Sequence, residues 1–149
     1  MLAAGGFTGT SSMSARSFLD TNVLLYTDSA DAPAKQRRAL DLLAEQRLAR
    51  TGVVSLQVLQ EYFVAATRKL AVDAGVARRK VELFANYHLV VLDVEDVLAA
   101  IDLHRLHQVS FWDALVVRAA KEGGCSVLYS EDLQHGRSID GVRIVDPFR

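Results

Sequence analysis

The stretch Ser17-Phe18-Leu19-Asp20-Thr21-Asn22-Val23-Leu24-Leu25-Tyr26 holds a single carboxylate within a largely apolar run. Such a run fits a buried strand as well as a buried helix segment, so periodicity alone does not decide between them. The triplet Asp20-Thr21-Asn22 does, because short polar side chains bond nearby backbone N–H groups and favour strand-to-helix turns. We therefore predict a core strand that ends at Leu19, Asp20 at its C-terminal tip, and a helix from Val23 onward.

The rest of the chain alternates between helical patterns and short β-branched runs. We predict further helices over 34–47, 55–70, 74–86, 95–107 and 111–122, and strands over 50–54, 89–92, 126–129 and 142–145, the last at a sheet edge. Strands separated by helices imply parallel crossovers. The expected fold is therefore α/β, a three-layer α/β/α arrangement around a central parallel sheet of four to five strands.

Two of the predicted helices carry apolar residues at helical spacing, which indicates the faces that they bury. In helix 95–107 we predict that the buried side consists of Val94, Val97, Leu98, Ile101 and Leu106, and in helix 34–47 of Leu40, Leu43 and Ala44. Ser55 and Ser110 are predicted N-caps, and Gly123-Gly124 a C-cap.

The composition is that of one ordinary globular domain. The 149 residues are 50% hydrophobic and 23% charged, and the formal charge of −1 indicates no overall basic field. We assign 16–149 to a single domain and 1–15 to a flexible N-terminal extension. No apolar run approaches the ~20 residues of a membrane span, we expect no signal peptide because no charged region precedes an apolar run, and a lone cysteine, Cys125, suits a reducing compartment. We expect a cytoplasmic protein that does not engage membranes.

Four carboxylates occupy positions that a parallel sheet would bring together. Asp20 ends the first strand and Asp132 follows strand 126–129. Asp113 lies near the N-terminus of the helix before that strand, and Glu61 lies about two turns into the helix after the second strand. Ligands of open parallel sheets bind outside the carboxyl ends of the strands, where strand order reverses. The four side chains are predicted to meet there.

Each of these acids also has a structural explanation. Asp20 could cap the first helix, and Asp113 completes a capping-box pattern with Ser110. Taken singly, the structural role is favoured for Asp113 and Asp132. Glu61, however, has no cation at helical spacing, and a carboxylate in apolar surroundings is costly without a metal or a proton. The joint occurrence favours a metal site, and an all-oxygen ligand set suits Mg²⁺ or Mn²⁺ rather than Zn²⁺.

Other candidate residues are weaker. His104 and His107 have a spacing compatible with a metal pair but lack further ligands, and His135 is best explained as a loop residue. Trp112 is predicted to be core rather than a platform on which bases stack. Two basic clusters could follow phosphates, although charged helix faces are usually just solvated: Lys35-Arg37-Arg38 and Arg78-Arg79-Lys80.

Four segments, in this order and spacing, resemble the PIN-domain ribonucleases, and among them the VapC-type toxins of bacterial toxin–antitoxin pairs. They are Phe18-Leu19-Asp20-Thr21-Asn22, Leu59-Gln60-Glu61-Tyr62, Ser110-Phe111-Trp112-Asp113-Ala114-Leu115 and Leu128-Tyr129-Ser130-Glu131-Asp132. The resemblance extends from Ser17 to Phe148. Residues 1–15 depart from it, since these toxins usually begin almost at the first strand.

This resemblance implies a PIN-like fold and a specific chemistry. Asp20, Glu61, Asp113 and Asp132 would be both the catalytic residues and the metal ligands, supported by Thr21, Asn22 and Ser130. The implied activity is endonucleolytic cleavage of RNA by a water that Mg²⁺ or Mn²⁺ activates. The implied partners are the RNA substrate, a cognate antitoxin protein and a second copy of the chain in a homodimer.

Two other functions remain open from the sequence. A Mg²⁺-dependent phosphatase with an aspartyl nucleophile would carry Asp-x-Asp at the first strand, where this chain has Asn22. A catalytically silent PIN-like module that binds RNA or protein would not need all four acids.

Overall fold

The computed structural model describes residues 15–149, so the predicted extension lies almost wholly outside the described residues. These residues form six strands and six helices, with two helices after each of the first three strands. The strands are β1 (Arg16–Leu19), β2 (Gly52–Ser55), β3 (His88–Val90), β4 (Cys125–Tyr129), β5 (Ser138–Ile139) and β6 (Val142–Val145). The helices are α1 (Thr21–Tyr26), α2 (Pro33–Ala49), α3 (Leu56–Lys69), α4 (Ala74–Phe84), α5 (Val94–His107) and α6 (Phe111–Glu122).

The strands form one sheet with β1 near its middle. Their order is β3-β2-β1-β4-β6-β5, and all neighbours are parallel except the β5–β6 pair. The chain thus builds outward from β1 to β3 on one side and returns to the other side at β4. Strand order reverses between β1 and β4, which is where a doubly wound sheet opens its ligand crevice.

Side-chain caps start five of the six helices, and this local chemistry explains why the helices could be placed from sequence. The Ser55 and Ser110 hydroxyls accept from backbone N–H groups three residues on, as predicted. The Asp20, Asp73 and Asp93 carboxylates cap α1, α4 and α5 by accepting from backbone N–H groups one to three residues on. The remaining helix, α2, has Pro33 at its first position, where a missing N–H costs nothing.

The sheet contains one strand that we did not predict. β6 is not an edge strand, because the two-residue β5 pairs antiparallel with it and lies outside it. A strand of two residues, such as β5, is too short to show an alternation of apolar and polar residues. The turn Asp140-Gly141, in which both residues have positive φ, was the available signal, since Asp-Gly is typical of tight hairpins.

The predicted buried side of α5 is wrong at four of its five residues; Val97 is partly buried and packs against the core, as predicted. Val94, Leu98, Ile101 and Leu106 are exposed, and the residues that α5 buries are instead Asp96, Ala100 and Leu103. Asp96 can be buried because its carboxylate accepts from the Asp93 N–H and from Arg118 on α6. Leu40 of α2 and Trp112 of α6, both predicted to be core, are exposed as well.

The hydrophobic core lies on both faces of the sheet, which confirms the layered α/β arrangement. Phe18, Val53, Leu128 and Ile144, from four different strands, are fully buried. Cys125 is buried among them as a free thiol, and burial raises its pKa to about 12, so it is a small hydrophobic residue rather than a nucleophile.

None of the helices in residues 15–149 combines the length and hydrophobicity that a membrane span requires.

Candidate functional site

Asp20 lies at the carboxyl end of β1, where strand order reverses. Its side chain is 6% exposed. One carboxylate oxygen accepts from the Thr21 backbone N–H at 2.8 Å, and the other accepts from the Ser130 hydroxyl at 2.7 Å. Burial raises the pKa of the Asp20 carboxyl to about 6; the two hydrogen bonds oppose this rise and the negative charges of Asp132 and Glu61 add to it.

The loop after β4 brings Asp132 to the same end of the sheet. The Asn22 amide nitrogen donates to the Ser130 hydroxyl at 3.3 Å and to the Asp132 carboxylate at 3.1 Å. The Asn22 carbonyl oxygen accepts from the Glu131 N–H at 3.1 Å, and the Ser130 hydroxyl accepts from the Asp132 N–H at 3.2 Å. Asn22 and Ser130 therefore connect the end of β1 to the loop that carries Asp132.

Thr21 connects Asp20 to Glu61. Its backbone N–H binds Asp20, and its hydroxyl donates to Glu61 on α3 at 2.8 Å. The second Glu61 oxygen accepts from the Gln57 amide at 3.1 Å, one helical turn earlier. Neither partner is a cation, as the sequence indicated.

Asp113 lies in the first turn of α6 and makes no direct hydrogen bond to the other three acids among the described residues. Its backbone N–H donates to the Ser110 hydroxyl at 3.0 Å, which is one half of the predicted capping box. Partial burial raises the pKa of its carboxyl, the interaction of that carboxyl with the Ser110 side chain opposes the rise, and the charges of Asp132 and Glu61 add to it. Asp113 is thus within electrostatic range of two other acids.

None of the four acids has a cationic partner in the described residues, although Asp20 is buried and Asp113 is partly buried; Glu61 and Asp132 are exposed. Asp28, Asp96 and Glu131 each form a salt bridge, with Lys80, Arg118 and Lys35 respectively. Among residues 15–149, no salt bridge involves Asp20, Glu61, Asp113 or Asp132. The structure therefore concentrates uncompensated negative charge at one end of the sheet.

The carboxylate oxygens of these four acids are ligands of the kind that a hard divalent cation prefers. No three Cys, His, Asp or Glu side chains in the described part of the chain are arranged to enclose an ion as they stand. Mg²⁺ does not need such a cage, because it usually keeps several waters and binds through one or two carboxylates plus substrate phosphate. Asp20 and Asp132, both tied to Ser130, and Glu61, tied to Thr21, are oxygen donors that such an ion could use.

The weaker candidates from the sequence have other partners. His104 bonds the Val109 carbonyl and His135 accepts from the Asp146 N–H. In the two basic clusters, Lys35 and Lys80 pair with Glu131 and Asp28, and Arg38 and Arg78 with Glu45 and Glu82. Trp112, next to Asp113, is 62% exposed and packs edge-on against Phe111.

Sequence reasoning missed a cluster behind the Asp132 loop. Glu131 accepts from the Tyr26 hydroxyl at 2.6 Å and forms a salt bridge with Lys35. Lys35 and Glu131 are 96 positions apart, so no local spacing could have indicated the pair.

Comparison with known proteins places this arrangement in context. The model of the PIN domain family matches residues 17–137. A comparison with curated protein sequences finds no match.

Several solved structures share the fold. A toxin–antitoxin complex from Klebsiella pneumoniae has a TM-score of 0.66 at 18% identity, over 88% of this chain and 97% of that one. VapC20 of Mycobacterium tuberculosis, described as a toxin that cleaves the sarcin–ricin loop, has a TM-score of 0.64 at 21% identity, over 78% and 89%. DNA-bound VapBC from Salmonella typhimurium has a TM-score of 0.63 at 20% identity, over 89% and 98%. At these identities the likeness concerns the fold.

Proposed function

The chain belongs to the PIN domain family, and from that premise we propose that it is a metal-dependent endoribonuclease, the toxin of a toxin–antitoxin pair. The observation that carries the proposal is the group of four carboxylates without a salt bridge in the described residues at the carboxyl end of β1, of which Asp20 is buried and hydrogen-bonded to Thr21 and Ser130. The solved structures that share the fold include toxin–antitoxin complexes and a toxin that cleaves the sarcin–ricin loop, which supports the same role.

In the proposed reaction, Asp20, Glu61, Asp113 and Asp132 hold Mg²⁺ or Mn²⁺ and are the catalytic residues. When bound, the ion supplies a Lewis acid for a phosphoryl oxygen and lowers the pKa of the attacking water. Thr21 and Ser130 fix the two oxygens of Asp20, and Asn22 orients Asp132 through its carboxylate. Water attacks phosphorus and the P–O bond to the next nucleotide breaks, so the products are two shorter RNA strands.

We further propose an antitoxin protein and a second copy of the chain as partners, in the reducing cytoplasm. The homodimer is supported by the α5 stripe, which we define as Val94, Leu98 and Ile101. These residues share one helix face at spacings of four and three, and they are 72%, 51% and 38% exposed. An apolar stripe on a charged helix is typical of a surface that another protein covers.

The decisive experiment compares the protein with Asp20→Asn on total RNA in Mg²⁺, Mn²⁺ or EDTA. We expect cleavage by the wild type with metal, none with EDTA, and a loss of at least ~100-fold in the variant, as well as loss of growth inhibition. Asp102→Asn is the matched control, because it removes an exposed carboxylate that forms no salt bridge within residues 15–149.

Two results would overturn the proposal. Cleavage that persists in EDTA or in the Asp20→Asn variant would exclude the metal mechanism. RNA binding without cleavage in either metal would identify a silent binding module instead.

A further inference from the structure

A shallow, open depression lies along the exposed face of α3, and one of the proposed metal ligands, Glu61, is among the residues that line it. We call it the α3 groove; its volume is about 460 Å³, and it is lined by Gln60, Glu61, Val64, Ala65, Arg68 and Lys69. These residues recur at spacings of three and four, so they form one face of the helix. From Glu61 to Arg68 the helix rises ~10 Å. The groove therefore leads from the acidic site to two cations.

Both cations are exposed and free of intramolecular partners. Arg68 and Lys69 form no salt bridge or side-chain hydrogen bond with any residue of 15–149. The basic clusters considered in the sequence differ, since most of their members pair with carboxylates. Basic residues in a last helical turn also suit the helix dipole. That explanation, however, accounts neither for the groove nor for its course towards Glu61.

The chemistry of the groove fits a polyanionic strand. A strand whose scissile phosphate lies at the acidic end carries further phosphates at regular intervals, and Arg and Lys are the side chains that bind them. Between the two ends the groove offers Val64 and Ala65, which are apolar and add no negative charge. Glu61 is the only acid that lines it.

We propose that Arg68 and Lys69 form a binding subsite for backbone phosphates of the RNA, a few nucleotides from the cleaved bond. The inference rests on the proposed function and adds the direction in which the substrate leaves the site. Because phosphates carry no sequence information, the subsite positions the strand and raises affinity without selecting bases.

The test compares Arg68→Ala/Lys69→Ala with Arg37→Ala/Arg79→Ala, both in the Asp20→Asn background, which we expect not to cleave. The second pair removes the same charge from two exposed arginines without a salt bridge in the described residues. Affinity for a labelled single-stranded RNA of mixed sequence is measured in Mg²⁺ at increasing KCl. We expect the first pair to weaken binding ~10-fold and to reduce the slope of log affinity against log salt by about 1.4, with unchanged Tm.

In the cleavage-competent protein, the first pair is expected to raise KM and leave kcat within about a factor of two. An unchanged salt slope, or an equal loss in the control pair, would overturn the subsite. Failure of the proposed function is separable from this, because wild-type cleavage would then be absent or would persist in EDTA, whereas failure of the subsite leaves metal-dependent wild-type cleavage intact.

Discussion

At the scale of single residues, Asp20 is the position where function is set against stability. It caps α1 and accepts two hydrogen bonds, yet it is buried beside other acids without a cation. Its pKa of about 6, against an ordinary 3.8, means that ionising this carboxyl costs more free energy in the folded chain than in the unfolded chain. A divalent ion would remove this disadvantage by compensating the charge.

The pKa of Asp20 predicts how stability depends on pH in EDTA. Between pH 4 and pH 6 the folded chain holds a proton that the unfolded chain has lost. Ionisation of Asp20 therefore lowers the free energy of unfolding as pH rises through this window, by an amount on the order of 3 kcal/mol that is complete above pH 6. Asp20→Asn, which stays neutral, should lack this contribution.

The measurement is urea unfolding of both proteins from pH 4 to pH 7.5. The stability advantage of Asp20→Asn over the wild type should grow with pH, and comparing the two proteins cancels the titration of all other groups. Mg²⁺ should then raise the wild-type stability at pH 7.5 more than that of the variant. Parallel curves for the two proteins would contradict the assignment.

At the scale of elements, the loop after β4 is held from both sides. Ser130 and Asp132 face the site, whereas Glu131 points the other way, to Tyr26 on α1 and Lys35 on α2. Tyr26 in turn packs edge-on against Phe148, with ring centroids 4.7 Å apart. The position of Asp132 therefore depends on two helices that contribute no acid to the site.

Tyr26→Phe tests this dependence without changing any charge. It removes the hydroxyl that donates to Glu131, so the loop should become less ordered and the Kd for Mn²⁺, measured by calorimetry, should rise about fivefold. Tyr87→Phe is the control, because it removes a hydroxyl bonded to the Leu43 carbonyl, far along the chain from the loop. Equal Mn²⁺ affinities in the two variants would show that the hydrogen bond between Tyr26 and Glu131 does not position Asp132.

Local signals were sufficient for most helices and strands, and for the acids themselves. Caps such as Ser55 and Ser110 act over three residues, so the sequence displays them directly. The buried face of α5 could not be found in this way, because it depends on Arg118 of another helix satisfying Asp96. The contacts of Glu131 could not be predicted for the same reason, because its partners Tyr26 and Lys35 are distant in sequence and adjacent only in the fold.

The candidate site was predictable in its residue types and not in its connections. Asp20, Glu61, Asp113 and Asp132 were chosen because their positions along strands and helices are readable from hydrophobic patterns. That Thr21 would join Asp20 to Glu61 depends on how α1 packs against α3, which no spacing records. That the four acids hold Mg²⁺ or Mn²⁺ stays a prediction.

At the scale of the whole molecule, the α5 stripe predicts the state of assembly. In a two-fold dimer each substitution occurs twice across the interface, so Leu98→Glu should convert a dimer to a monomer. Light scattering after gel filtration measures this directly. Leu48→Glu is the control, because Leu48 is 84% exposed on α2, outside the stripe. A monomeric wild type, or a Leu98→Glu protein that still dimerises, would contradict the homodimer.

The strand order also has a consequence for when the protein can first act. The Ser130 N–H donates to the Val145 carbonyl at 3.0 Å, so the loop that carries Asp132 rests on β6, which is made after all four acids. On the ribosome, Asp20, Glu61 and Asp113 emerge well before the strand that completes their setting. On the proposed function, a nascent chain would be harmless to the messenger and ribosome that are making it. On that function, cleavage would begin only once β6 has left the ribosomal exit tunnel and paired with β4.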